Sequence, residues 1–426
     1  MSTAAFLKDF HHVATIGATA NNGVDRQAAT PEDARTRDWF ANWVRHAGWG
    51  LRVDTIGNMF GLLEWTPGAP FIVIGSHLDS QPLGGRFDGA YGVIAALHAA
   101  RTIDAEVAES GMAPRFNLAV VNWFNEEGGR FAPSVMGSSV FTGLFDLEEM
   151  LNVTDLQGIS VREALSGIGY LGTDPTPKVA GYAEIHIEQG RILERESINI
   201  GLVDSSWYTQ KLDIEVLGEQ SHTGATAMAD RHDALIAASK IILMVHDVTG
   251  DFAEEALVSS VGQLTLEPNS PIVVARRVHL VADLRSGNPE IVNAARDTLM
   301  RNIALLAREH DIKVNVRDFD IRPIRRFPEA GLSLAAAVAA TAGLSSWRMQ
   351  TMAGHDSVSM NTMVPSIMLF IPSVDGVSHC EREFSTDTDM ANGVEMLTGV
   401  ARQLVHGALA ELEPVPVGAG AAGGAA

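Results

Sequence analysis

Two short, unbroken apolar runs, FIVIGS (71–76) and RFNLAVVNWF (115–124), bracket a segment with helical apolar spacing, AYGVIAALHAARTI (90–103). A continuous apolar run of this length reads as a strand buried on both faces. Strand, helix and strand at this spacing predict a βαβ unit, with parallel strands covered by helices. YAEIHIE (182–188) supplies a further strand. This pattern commits the first part of the chain to an α/β sheet, and such sheets build their sites just beyond the carboxyl ends of their strands.

The texture changes near residue 208. TQKLDIEVLGE alternates apolar and polar residues, as a half-exposed strand does. A helix near 230–248, strands at 257–266 and 276–285, a helix at 288–309 and a strand at 312–319 complete the segment. That β-α-β-β-α-β order resembles a ferredoxin-like unit. The α/β texture then resumes, with the strand SIMLFIP and a terminal helix near 387–410. The fold class predicted is α/β: a mixed-sheet domain interrupted by a smaller α+β domain. The expected boundaries are 1–207 and 325–412 for the first domain and 208–324 for the insert, with a disordered Ala/Gly tail at 413–426. A chain of 426 residues is too long for one ordinary core, which agrees with two domains.

Composition narrows the class of partner. The formal net charge is -21 and the basic residues are scattered, so no basic face is available for a nucleic acid. No apolar run reaches membrane-spanning length, and the N-terminus MSTAAFLKDFHH lacks a long apolar segment. One cysteine, Cys380, rules out an internal disulfide framework and fits a reducing compartment. The expected location is cytoplasmic, with no membrane partner.

Five places set histidine or carboxylate just after predicted strands: GSHLDS (His77, Asp79), GGRFDGAYG (Asp88), NEEGG (Glu126, Glu127), EIHIEQG (His186) and GVSHCERE (His379). Each alone has a bland reading. A lone histidine is mostly a hydrogen-bonded side chain, GGRFDG is usually a turn, and NEEGG could be a solvated loop. A phosphate loop fits poorly, because the GK[ST] ending is missing. Their joint occurrence at strand ends carries the weight, and imidazole with carboxylate suits Zn²⁺ and similar divalent metals.

The stretches GSHLDSQPLGGRFDGAYGV, NEEGGRFAPSVMGS, HIEQGRILE, GEQSHTGATAMADRHDAL, AGHDS and IPSVDGVSHCEREF together resemble the amidase/hydantoinase/carbamoylase branch of the M20 zinc-peptidase family. That branch includes N-carbamoyl-L-amino acid hydrolases, β-ureidopropionases and allantoate amidohydrolases. The resemblance spans roughly residues 25–410 and implies a dinuclear metallohydrolase domain plus an inserted dimerisation domain. It implies that His77 and His186 hold one metal, that Glu127 and His379 hold the second, and that Asp88 bridges the two. Asp79 corresponds to the carboxylate that orients the His77 ring through its second nitrogen, and the Asp88–Gly89 peptide to a cis bond. Glu126 corresponds to the general base. Its side chain is expected to diverge from that of Glu127, because successive residues on an extended strand point opposite ways. His222 corresponds to a histidine that reaches across a homodimer to stabilise the oxyanion in the partner's site. Two divalent ions per subunit are implied, Zn²⁺ first, with Mn²⁺, Co²⁺ and Ni²⁺ also compatible.

The same resemblance makes Arg285 the grip on a substrate carboxylate, Gln189 a contact to the substrate's polar end, and the backbone of Gly354 a further contact. Two positions depart from the family pattern. Ile272 stands where the carbamoylases typically carry an asparagine, and Cys380 follows His379 in SHCE where SHNP is usual. The expected activity is therefore hydrolysis of a linear amide or ureido C–N bond in a small carboxylate, with an N-carbamoyl-L-amino acid or N-carbamoyl-β-alanine as the family default. The alternatives are an allantoate-type amidohydrolase and an N-acyl-amino-acid or dipeptide hydrolase. A non-enzymatic metal-binding dimer is disfavoured, because such a chain would be expected to lose the base, a ligand or His222.

Overall fold

The computed structural model describes residues 3–412. The tail expected at 413–426 lies outside the described residues. Fourteen strands follow in chain order: β1 Gly50–Val53, β2 Met59–Leu63, β3 Phe71–His77, β4 Asn117–Trp123, β5 Val179–Ile187, β6 Ile200–Ser206, β7 Tyr208–Leu217, β8 Ser221–His222, β9 Val258–Glu267, β10 Val273–Val274, β11 Arg277–Ser286, β12 Lys313–Arg322, β13 Ser346–Thr351 and β14 Ser366–Ile371. The chain divides into two compact units, one of Ser206–Arg325 and the other of the remaining residues. Their boundaries fall at 205/206 and 325/326, against the 207/208 and 324/325 expected from the change in texture. At the crossing the Ser206 N–H donates to the Arg325 carbonyl at 2.9 Å, so the two passes of the chain run side by side.

The larger unit is built on an eight-stranded sheet in the order β1-β2-β4-β3-β5-β14-β6-β13. Its centre, β4-β3-β5-β14, is parallel, while β1, β2 and β6 pair antiparallel. Strands β3, β4 and β14 are buried along their whole length, which is why they read as continuous apolar runs. Ile72, Ile74, Leu118, Val120, Ile185 and Leu369 face a layer formed by helices Thr3–Val13, Ala90–Ser110 and Asp387–Val405. Val73, Ala119, Val121, Trp123 and Tyr182 face the other way. The parallel centre sends four carboxyl ends to the same edge, and these ends carry the site.

Helix Pro31–His46 was not anticipated, although its signals are present in the sequence. Thr30 caps it by accepting the Asp33 N–H, Pro31 occupies the first turn, and Glu32 and Asp33 complement the dipole. This helix buries an ion pair, Arg37 Nε to Asp33 Oδ2 at 2.7 Å. Arg37 also donates to the Gly57 carbonyl and lies over the rings of Phe124 and Tyr170. It thereby supports the chain just before Glu126.

The smaller unit has an antiparallel sheet in the order β12-β7-β11-β9, the arrangement of a ferredoxin-like fold. Leu212, Ile214, Val216, Val278, Leu280, Ala282 and Leu284 point to one face and pack under helices Ala234–Asp247 and Pro289–Glu309. The alternating residues of the other face are charged and pair across strands, as in Arg277–Glu215 (2.7 Å) and Arg317–Asp213 (2.7 Å). The half-exposed alternation read from the sequence has this origin. No helix among the described residues is long and apolar enough to cross a membrane.

The Asp33–Arg37 pair yields a stability test. Removing Arg37 strands a fully buried carboxylate, so Arg37→Ala is expected to cost about 3–5 kcal/mol, read as a lowered urea midpoint.

Candidate metal centre

The carboxyl ends of β3, β4, β5 and β14 bring five predicted ligands together. His77 ends β3, and Asp88 lies in the following loop, two residues before helix Ala90–Ser110. His186 is near the end of β5, Glu127 follows β4, and His379 follows β14. The donor atoms of His77, Asp88 and His186 lie within 4.8 Å of one another, and so do those of Asp88, Glu127 and His379. Asp88 belongs to both triads. Its Oδ1 lies 3.0 Å from His186 Nε2 and 3.4 Å from His77 Nε2, and its Oδ2 lies 3.5 Å from His379 Nε2. Glu127 Oε2 lies 3.2 Å from His379 Nε2.

Two observations fit these triads to cations. His77 Nε2 is buried and has no hydrogen-bond partner, which is costly for an imidazole nitrogen unless something binds it. His186 Nδ1 lies 2.9 Å from the Ile187 carbonyl, and its Nε2 accepts the Gly89 N–H at 3.1 Å. That tautomer presents Nε2 as a lone-pair donor. A mixed imidazole–carboxylate set in two overlapping groups suits borderline divalent metals.

Electrostatics point the same way. Burial lowers the His186 pKa, but Asp88 outweighs it and raises it to about 9. Burial also opposes protonation of His77, yet Glu126, Asp79 and Asp88 hold it well above the ordinary histidine value. Burial would raise Asp88, but His186, His77 and His379 hold it well below the usual carboxylate range. This centre demands positive charge, and protons compete with cations for it.

The glutamate pair departs from the expected geometry. Strand β4 ends at Trp123, so Glu126 and Glu127 do not alternate on an extended backbone. They sit on a turn made by Asn125 at φ 49°, whose Nδ2 donates to the Phe131 carbonyl at 2.8 Å. Glu127 is fixed by Gln81, whose backbone N–H meets Oε1 and whose amide meets Oε2. Glu126 stands outside both triads, with Oε2 3.4 Å from His77 Nε2. Burial lifts its carboxyl well above the ordinary range; His77 pulls it down, and Asp356, Glu127 and Asp88 add to the rise.

Asp79 meets the His77 Nδ1 through two groups, its backbone carbonyl at 3.1 Å and its carboxylate at 3.5 Å. The carboxylate also accepts the N–H groups of Glu126 and Glu127, both at 3.2 Å. The Asp88–Gly89 peptide is trans; among the described residues the cis bonds are Ala132–Pro133 and Glu267–Pro268. Gly89 makes the turn at φ 61°, and any side chain there would collide with the His77 ring.

Glu383 was missed by sequence reasoning, although it lies four residues after His379 in a quoted motif. It is buried, accepts the N–H groups of Phe87 (2.9 Å) and Asp88 (3.0 Å), and takes the Ser378 hydroxyl at 2.8 Å. Gly85 is required beside it, since a side chain would strike the Glu383 carboxylate. Gln189 donates to Asp88 Oδ2 at 2.6 Å, so it is engaged with the shared carboxylate. Gly354 lies in the loop between β13 and helix Asp356–Met360. Cys380 is half-buried, and its carbonyl accepts the Glu383 N–H.

Three singled-out residues belong to the smaller unit. His222 is exposed, and its Nδ1 accepts the N–H groups of Gly224 (3.0 Å) and Ala225 (3.1 Å). This leaves the proton of the neutral ring on Nε2. Ile272 is 65% exposed and its carbonyl accepts the Thr223 N–H, so it lies beside His222. The Arg285 guanidinium is engaged by the Asp283 carboxylate at 2.7 Å.

Comparison with known proteins agrees with this geometry. The family model for peptidase family M20/M25/M40 matches residues 73–403. A Mycolicibacterium smegmatis protein described only as a hydrolase is 51% identical, over 95% of this chain and 93% of its own. The N-carbamoyl-L-amino-acid amidohydrolase of Rhizobium meliloti is 34% identical, over 90% of this chain and 92% of its own. Among solved structures, an amidase of the hydantoinase/carbamoylase family from Burkholderia vietnamiensis superposes with a TM-score of 0.91 at 34% identity, covering 97% of this chain and 98% of that one.

The charge balance predicts proton-coupled metal binding. Because neighbouring carboxylates raise the pKa values of His186, His77 and His379, protons compete with cations for these rings near neutral pH. Affinity is expected to rise with pH through the neutral range. Calorimetry in two buffers of different protonation enthalpy should show net proton release.

Proposed function

Because the chain belongs to the M20/M25/M40 peptidase family, we propose that it is a metal-dependent amidohydrolase. It cleaves a linear amide or ureido C–N bond of a small carboxylate, with an N-carbamoyl-L-amino acid or N-carbamoyl-β-alanine as the first candidates. The observation that carries this reading is the pair of donor triads sharing Asp88, with Glu126 beside them and outside both.

In this reading His77 and His186 would hold one divalent cation with Asp88, and Glu127 and His379, again with Asp88, would hold a second. Zn²⁺ is the first candidate, with Mn²⁺, Co²⁺ and Ni²⁺ compatible. When bound, the cations supply Lewis acidity and make water nucleophilic at neutral pH. Glu126 takes the proton from the attacking water and delivers it to the leaving nitrogen as the C–N bond breaks. The turn at Asn125 and the Asp79 carboxylate fix its backbone, so the base is held in place before substrate arrives. For a ureide the products are the amine, carbon dioxide and ammonia.

The substrate carboxylate would exchange for Asp283 on Arg285 with help from the Gly354 backbone, and Gln189 would meet the polar end. His222 would donate from Nε2 to the developing oxyanion of a partner subunit. A homodimer is supported by the smaller unit itself. Strand β9 is an edge strand with Val258 and Leu264 exposed, and helix Ala234–Asp247 exposes Leu235, Ile236 and Leu243. A long, partly apolar edge of this kind is a ready surface for pairing with a second copy.

Two experiments test the reading. On a panel of N-carbamoyl amino acids, allantoate, N-acyl amino acids and dipeptides, metal-dependent turnover is expected on the carbamoyl substrates. Glu126→Gln should keep its metal content and lose about 10²–10⁴-fold in kcat. Absence of turnover with metal bound, or an unaffected Glu126→Gln variant, would refute it. For the dimer, two inactive variants, His222→Ala and Glu126→Gln, are mixed and allowed to exchange subunits. Activity should reappear, because one site of each mixed dimer is whole. A histidine acting within its own subunit would restore nothing.

A further inference from the structure

Glu184 lies on β5, two residues before His186, and is completely buried. No ion pair reaches it among the described residues. A carboxylate in such a place is costly unless donors offset it. Donors meet both oxygens: the Ser76 hydroxyl donates to Oε1 at 2.7 Å, and the Ser357 backbone N–H donates to Oε2 at 2.8 Å; the Tyr182 hydroxyl, from the same strand, also lies against it. An apolar residue of the same volume would fill this position more simply, so the carboxylate needs a reason beyond packing.

The partners suggest one. Ser76 immediately precedes His77 at the end of β3. Glu184 shares a strand face with His186, since alternate residues point the same way; the intervening Ile185 and the next residue, Ile187, belong to the core on the opposite face. Ser357 is two residues after His355, whose ring stands edge-on to His186 with centroids 4.7 Å apart and is backed by Phe370 at 5.4 Å. One carboxylate therefore ties together three chain segments. Two carry the imidazoles of the first triad, and the third carries the ring that braces one of them. The rings of His77 and His186 are stacked with centroids 5.9 Å apart, and neither residue of the Glu127–His379 half is tied to this strut.

We propose that Glu184 is a positioning residue for the first metal site: it sets the separation and aim of His77 and His186, and it does so without touching metal or substrate. The inference rests on the two-metal reading above. It goes beyond that reading by assigning the two cations unequal dependence on one buried side chain. Outer residues that orient metal ligands typically tune affinity by about 10–100-fold. That loss should fall on the His77–Asp88–His186 site and spare the Asp88–Glu127–His379 site.

The test uses the full chain, stripped of metal, titrated with Zn²⁺ against a chromophoric chelator. The Glu184→Gln change is made in two backgrounds: His379→Ala, which leaves the first triad, and His186→Ala, which leaves the second. The expected result is a loss of about 10–100-fold in Zn²⁺ affinity in the first background and an unchanged affinity in the second. At saturating Zn²⁺, Glu184→Gln in the otherwise native chain should recover most of its kcat. Equal weakening in both backgrounds, or none in either, overturns the proposal. Should Glu184→Gln fail to fold, Ser76→Ala removes one of these donors and should give a smaller loss with the same selectivity; a loss without selectivity overturns it equally. A native chain that takes up fewer than two Zn²⁺ ions refutes the two-metal reading itself, and this inference with it.

Discussion

Asp88 is the point on which the site turns. A carboxylate with almost no solvent access must be matched by positive charge and by donors, and the surroundings of Asp88 provide both. His77, His186 and His379 approach its two oxygens, while Gln189 donates to Oδ2 and the Ser378 hydroxyl, shared with Glu383, lies 2.9 Å from it. Its own N–H is held by Glu383. The crowding dictates sequence nearby: Gly85 makes room for Glu383, and Gly89 lets the chain turn under the His77 ring. The parallel sheet matters because it delivers these groups. Four neighbouring strands end at one edge, so residues more than 300 positions apart in sequence meet at one carboxylate.

Much of this was legible. Strands buried on both faces announce themselves as apolar runs, and the sheet centre was read from FIVIGS, RFNLAVVNWF, YAEIHIE and SIMLFIP. The alternation in TQKLDIEVLGE reported a sheet with one charged face. Each strand end carried its imidazole or carboxylate in plain view. Helices Thr3–Val13 and Pro31–His46 and strands β1, β2, β6 and β13 went unread. In β1 and β13 the apolar content is diluted by polar residues, as in GLRV and SWRMQT, so period alone does not separate them from loop; β2, MFGLL, is a short apolar run of five residues. The cap at Thr30–Pro31 was a usable signal for the second helix.

Details of the site were legible only as residue types. Sequence could nominate Asp79 as an orienting carboxylate, but only geometry adds the His77 contact to its backbone carbonyl and the carboxylate's hold on the N–H groups of Glu126 and Glu127. Gln189 and Arg285 were nominated as substrate contacts. In the structure they are engaged by Asp88 and Asp283, because a polar group in a packed site takes the nearest partner of opposite character. Glu383 and Glu184 escaped notice because a single carboxylate carries no periodic signal. Its importance lies entirely in what burial forces it to bond.

The adjacent glutamates show how one residue type is given two tasks. Both are buried, and burial raises both. What separates them is their neighbours. Glu127 is clamped through both oxygens by Gln81 and faces His379. A carboxylate pinned in this way has a fixed direction, as a ligand requires. Glu126 is pinned only through its backbone; its side chain faces His77, with Asp356 and Glu127 as like-charged neighbours. A carboxylate whose side chain is left unclamped is free to turn between two atoms, as a base that carries a proton from one to the other requires. Extended-strand alternation does not create the division, since the strand has already ended at Trp123. The turn at Asn125, and the unequal supply of donors beyond it, do.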